Sequence, residues 1–187
     1  MKNILFFGDS LTAGYGLANA DVDSFPALIQ HKIDELELNY KVINAGLSGD
    51  TTRGGLSRLD YWLSRPVAVL VLELGINDAI RNVPVTTIQQ NLQQIIDKVK
   101  TKFPNVKIAL MGMQLPVFIP GNRAVEFRNL FGAIADKNNL AFVPFFLDGV
   151  ADKQHLNLAD GLHPSAEGYK VIAENVWPVI KGLLSEP

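Results

Sequence analysis

The chain has 187 residues, enough for one domain with a substantial core, and its 48% hydrophobic, 19% charged make-up is that of a globular protein. A formal net charge of −2 leaves no basic surplus to neutralise phosphates, which argues against nucleic acid as a partner. With no cysteine there is neither a disulfide nor a thiolate metal site, and no run approaches the roughly 18 apolar residues of a spanning helix.

In chain order, Met1-Lys2-Asn3 leads straight into a short apolar run at residues 4–7, which reads as a first strand rather than a signal peptide. A soluble chain without stable membrane insertion is therefore expected. It is cytoplasmic as written, or periplasmic or secreted if a leader belongs to a longer form. Phe25, Leu28, Ile29, Lys32, Ile33 and Leu36 then follow near-helical spacing, with Pro26 tolerated in the first turn. Residues 41–43 form a second strand, and Leu56, Leu59 and Leu63 mark a helix that must end before Pro66.

Residues 67–72 are continuously apolar, as in a central parallel strand covered on both faces. Ile88, Leu92, Ile95, Ile96, Val99 and Phe103 make a strong apolar stripe on the next helix. A fourth strand is expected at 107–113, a helix at 124–137 and a fifth strand at 140–143. Ser165 can cap the last helix, whose inner side carries Tyr169, Ile172, Ala173, Val176 and Ile180, and Pro178 predicts a kink or the loss of its last turns. Strands alternating with helices predict an α/β fold, a single three-layer α/β/α sandwich over residues 1–187. Its five-stranded parallel sheet takes the flavodoxin-like order 2-1-3-4-5.

Four segments follow strands, on the side where ligands bind in such sheets. Gly8-Asp9-Ser10-Leu11 follows the first strand and Asp160-Gly161-Leu162-His163-Pro164 the fifth. Together they supply a serine, a histidine and a carboxylate, the groups of nucleophilic acyl transfer. Gly161 permits the tight turn that brings Asp160 to the His163 ring, and Pro164 biases His163 towards extended backbone. Between them lie Asn44-Ala45-Gly46-Leu47-Ser48-Gly49-Asp50 and Gly75-Ile76-Asn77-Asp78. A glycine N–H and an asparagine amide are the donors an oxyanion hole requires.

Each segment alone also reads as ordinary turn punctuation. Asp9 reads as a turn-stabilising carboxylate, and Asn44, Asp50 and Asp78 as loop scaffolding. His31 and His155 read as surface residues, and no ligand cluster accompanies them, so no metal or organic cofactor is expected. Phe142, Phe145, Phe146 and Trp177 are assigned to the core. Position 12 is Thr, so Ser10 does not sit in a G-x-S-x-G elbow.

The four segments in this order, spanning Gly8 to Pro164, resemble the SGNH hydrolases, also called the GDSL family, and within it the thioesterase I/protease I/lysophospholipase L1 and arylesterase subgroup. The resemblance implies Ser10 as nucleophile, with Asp160 and His163 completing a triad. It implies the Ser10 N–H, Gly49 and Asn77 as the oxyanion hole, and Leu115-Pro116 as a substrate wall, where residue chemistry alone gives a helix-excluding turn. The expected activity is hydrolysis of small-molecule carboxylic esters with short to medium acyl or aryl groups, extending to thioesters or lysophospholipids. Two alternatives use the same features: a carbohydrate O-deacetylase on the same triad, and a non-catalytic binder with residues 8–16 as a phosphate loop. The second is disfavoured because Asp9 would face the phosphate and the loop has no lysine. Oligomeric state leaves no mark in the sequence.

Overall fold

A computed structural model describes residues 1–115 and 122–184. β1 (Lys2–Gly8) enters the middle of the sheet, followed by two short helical turns, α1 (Ser10–Ala13) and α2 (Ala20–Asp23), and then α3 (Phe25–Glu35). β2 (Tyr40–Asn44), α4 (Thr52–Trp62), β3 (Val69–Glu73), α5 (Ile76–Ile80) and α6 (Val85–Lys102) come next. The chain continues through β4 (Lys107–Met111), α7 (Asn122–Asn138), β5 (Ala141–Val143) and α8 (Ala166–Leu184).

All strand pairs are parallel and the order is β2-β1-β3-β4-β5, as the alternation of strands and helices predicts. The helices fall into two groups, α2, α3 and α8 in one and α4, α6 and α7 in the other. With the sheet they make the three-layer α/β/α sandwich. β3 is buried along its whole length, which explains the unbroken apolar run of its first four residues, 69–72. The α6 stripe of Ile88, Leu92, Ile95, Ile96 and Val99 is likewise fully buried. Among the described residues no helix is long and apolar enough to cross a membrane.

The end of α8 and the stretch after β3 differ in detail from expectation. α8 runs on through Pro178 to Leu184 instead of losing its last turns. Ser165 does cap it, its Oγ accepting the Gly168 N–H at 3.3 Å. After β3, residues 76–80 wind into α5, an element not predicted from the sequence, and place Asn77 in a helical first turn.

Candidate active site

β1 ends at Gly8 and the chain turns at once into α1. Asp9 caps that turn, its Oδ1 accepting the Leu11 N–H at 3.0 Å. Ser10 is the first residue of α1, nearly buried at 8% exposure. His163 arrives from the segment between β5 and α8. Its Nε2 lies 3.0 Å from Ser10 Oγ, and its Nδ1 lies 2.6 Å from Asp160 Oδ2. With Nδ1–H given to the carboxylate, Nε2 is left to accept the serine hydroxyl.

The short turn that makes this possible is held by backbone. Gly161 adopts φ +69°, as its place in the turn predicts, and Asp160 Oδ1 accepts the N–H groups of Leu162 (2.9 Å) and His163 (3.0 Å). Desolvation pushes the Asp160 carboxyl up, but these two N–H donors and the imidazole outweigh it and hold the group at about 2. Asp160 is therefore ionised at any neutral pH. The Tyr15 ring, one turn beyond Ser10, leans on the His163 ring with centroids 4.6 Å apart.

Asn77 lies across the site from His163, and its Nδ2 donates one hydrogen bond to Asp9 Oδ2 at 3.1 Å. A carboxamide has two N–H groups, so one remains for a ligand. Among the described residues, nothing accepts the backbone N–H of Ser10 or Gly49. Gly49 is held towards α5 by Arg81, whose Nη2 donates to its carbonyl at 2.9 Å. The loops carrying these groups are cross-braced. Arg58 donates to Asp50 Oδ2 (2.7 Å) and to the carbonyls of Ala45 and Gly8. Asp78 accepts both the N–H and the hydroxyl of Thr52, and Asn44 donates to the Thr12 carbonyl. The scaffolding reading of Asn44, Asp50 and Asp78 fits these contacts.

Beneath Ser10 lies a feature the sequence did not announce. Asp9 and Glu73 are both fully buried and adjacent, and Glu73 pairs with Gly8 in the β1–β3 register. A Cβ at Gly8 would run into Thr12 Oγ1 and the Glu73 carboxylate, so this glycine is required by close approach rather than by its backbone angle. Burial pushes Asp9 up to about 6, against the pull of the Leu11 N–H and other donors, and burial plus the Asp9 charge push Glu73 well above the carboxylate range.

Ser10, Asn77 and His163 open on a cleft of about 240 Å³ whose apolar walls include Ile76, Ile80, Leu115, Phe145, Leu147 and Leu162. Leu115 lines the cleft, while Pro116 lies outside the described residues. Gly49 and Asp160 do not line it, Asp160 standing behind the imidazole. Phe145, assigned to the core from sequence, is a cleft residue, whereas Phe146 is fully buried. His31 and His155 are exposed, and among the described residues no group of three or more metal-ligating side chains occurs.

The GDSL-like lipase/acylhydrolase family matches residues 6–171. Esterase TesA of Pseudomonas aeruginosa is 39% identical over 185 residues, covering 98% of this chain and 90% of its own length. The arylesterase of Vibrio mimicus is 35% identical, covering 94% and 86%. A crystal structure of TesA superposes with a TM-score of 0.91 at 37% identity, covering 97% of this chain and 99% of the other. The chain belongs to the GDSL-like lipase/acylhydrolase family of carboxylic ester hydrolases.

Proposed function

We propose that this protein is a serine esterase in which Ser10 is the nucleophile, His163 the general base and then acid, and Asp160 the group that orients His163. The observation that carries the reading is the unbroken relay from Ser10 Oγ through His163 to Asp160, at 3.0 and 2.6 Å, with an uncommitted N–H on Ser10 and on Asn77 at the same cleft; the Gly49 N–H likewise has no acceptor among the described residues. Ser10 Oγ attacks the ester carbonyl as its proton passes to His163 Nε2. The tetrahedral oxyanion is held by the N–H groups of Ser10 and Gly49 and by the free Asn77 N–H. His163 returns the proton to the departing alcohol or thiol, leaving an acyl group on Ser10. Water, deprotonated by the same imidazole, then repeats the sequence and frees the acid.

The cleft supports uncharged esters of short to medium acyl length as substrates. Its volume of about 240 Å³ falls below the roughly 300–1,000 Å³ of pockets that engulf drug-sized ligands. Among the described residues no Lys or Arg lines it, so an anionic head group would find no counter-charge from them. Each buried methylene contributes about 0.8 kcal/mol, so kcat/KM for aryl esters should rise by up to about fourfold per carbon until the cleft is filled. An acyl series from C2 to C16 tests this. A plateau or fall after the medium chains is expected. Steady improvement through C16 would overturn the short-cleft reading in favour of lysophospholipid-like substrates. A sharp optimum at acetate would point to deacetylation.

A further inference from the structure

The mechanism leaves Glu73 without a task, although it is a fully buried acid at the end of the central strand. Its Oε2 accepts the Asp9 N–H at 3.2 Å and the Thr12 hydroxyl at 2.7 Å. These two residues flank Ser10 and its successor. Oε1 accepts no hydrogen bond from any described group. The two carboxyls are neighbours, since Glu73 receives the backbone N–H of Asp9 itself, and the Asp9 charge adds to the cost of ionising Glu73. Both Asp9 oxygens are already acceptors, one from the Leu11 N–H and one from Asn77 Nδ2.

Among the described residues no Lys or Arg donates to either carboxyl. Arg58, close by, is spent on Asp50 and two carbonyls. The other titratable groups whose charge the pair feels are His163, Asp50 and Tyr169. Two adjacent buried carboxyls without a bonded cation cannot both be ionised, so one proton is held between them. The donors on Asp9 favour its ionised form, and Glu73 Oε1, which accepts nothing, is where the proton can reside.

We propose that Glu73 is a positioning residue that works as a neutral acid. Its Oε2 fixes the backbone around Ser10, and its proton, given to Asp9, keeps that carboxylate turned to Asn77. Asn77 is then locked with one N–H on Asp9 and the other facing the reacting carbonyl. The inference rests on the proposed roles of Ser10 and Asn77. Glu73 itself touches no substrate and acts only through the groups it holds.

Two variants test it, each with kcat, KM and Tm measured. In Glu73→Gln the amide oxygen can accept both donors and the amide N–H replaces the proton towards Asp9, so activity should stay within about threefold of wild type. In Glu73→Ala the lock is gone, and kcat should fall by up to roughly 10²-fold at unchanged KM, because the misplacement is felt in the transition state. If Glu73→Ala does not fold, Thr12→Val removes one of the two donors with little change of volume and should lower kcat several-fold at unchanged KM. A Glu73→Gln enzyme as impaired as Glu73→Ala, or losses confined to KM, overturns the proposal. Fluorophosphonate labelling of the wild type separates the two levels. A label that misses Ser10 overturns this inference together with the proposed function, whereas a label on Ser10 with equally impaired Gln and Ala variants overturns only the role of Glu73.

Discussion

Replacing Asp160 by asparagine should harm this enzyme more than replacing it by alanine. Asp160 Oδ1 accepts two backbone N–H groups, at 2.9 and 3.0 Å, and those donors will claim the one oxygen of the Asp160→Asn amide. The amide nitrogen must then occupy the place of Oδ2, 2.6 Å from His163 Nδ1. As a donor it forces Nδ1 to accept, which puts the imidazole proton on Nε2, facing Ser10. Nε2 in that tautomer cannot take the serine proton, and the loss should approach the roughly 10⁴-fold seen when a serine-protease triad is altered in this way. In Asp160→Ala no group dictates the tautomer. The Asp160 side chain is 40% exposed, so water can accept the Nδ1–H in its place. The two backbone N–H groups released from Oδ1 can likewise turn to water, so what the imidazole loses is one charge-assisted hydrogen bond, about 1.5–3 kcal/mol and discounted towards the lower end by solvent, or roughly 10- to 10²-fold. The assay is kcat/KM on a neutral aryl ester at pH 8, with Tm and near-ultraviolet circular dichroism to confirm folding. An Asp160→Asn enzyme equal to or better than Asp160→Ala would refute the tautomer argument.

Asn77→Ala should lower kcat by roughly 10²–10³ with little change in KM, the usual effect of removing one oxyanion donor, and an effect confined to KM would make Asn77 a ground-state contact. The acid response of stability should carry two opposite signs. Asp9, raised to about 6 from an ordinary 3.8, binds its proton more readily folded than unfolded, so it adds stability as pH falls from about 6 to 4. Asp160, lowered to about 2, contributes above pH 4 and loses that contribution as pH falls through 2. Comparing Tm from pH 3 to 8, Asp9→Asn should flatten the upper part of the profile, and an unchanged slope between pH 4 and 6 would contradict the buried-charge account.

The strands were legible because parallel central strands must be apolar on both faces, as residues 67–72 are, and the helices because α6 and α8 bury one periodic stripe. The missed elements, α1, α2 and α5, are each four or five residues long, too short for a period to register. Serine could be picked out because it follows a strand end, and aspartate and histidine because they share one tight turn before α8. The braces behind them could not. Arg58, Arg81 and Tyr15 act through long side chains that cross between elements, and nothing in local spacing encodes such a reach. Glu73 simply follows an apolar run, and its placement under Gly8 is a consequence of strand register, a tertiary fact. Asp9 is the turn carboxylate that its sequence context suggests, but its second oxygen holds Asn77, 68 residues away. Phe145 and Phe146 are adjacent and chemically identical, and only the packing of the segment after β5 sends one to the cleft and the other to the core.

The central claim is that Ser10 is the nucleophile, activated by His163. Reaction of the wild-type protein with a fluorophosphonate, followed by peptide mass mapping, tests it directly. The account predicts one adduct per chain, on Ser10, with activity lost in proportion, and no adduct in Ser10→Ala or at comparable rate in His163→Ala. An adduct on any other serine, or full hydrolytic activity in Ser10→Ala, would contradict it.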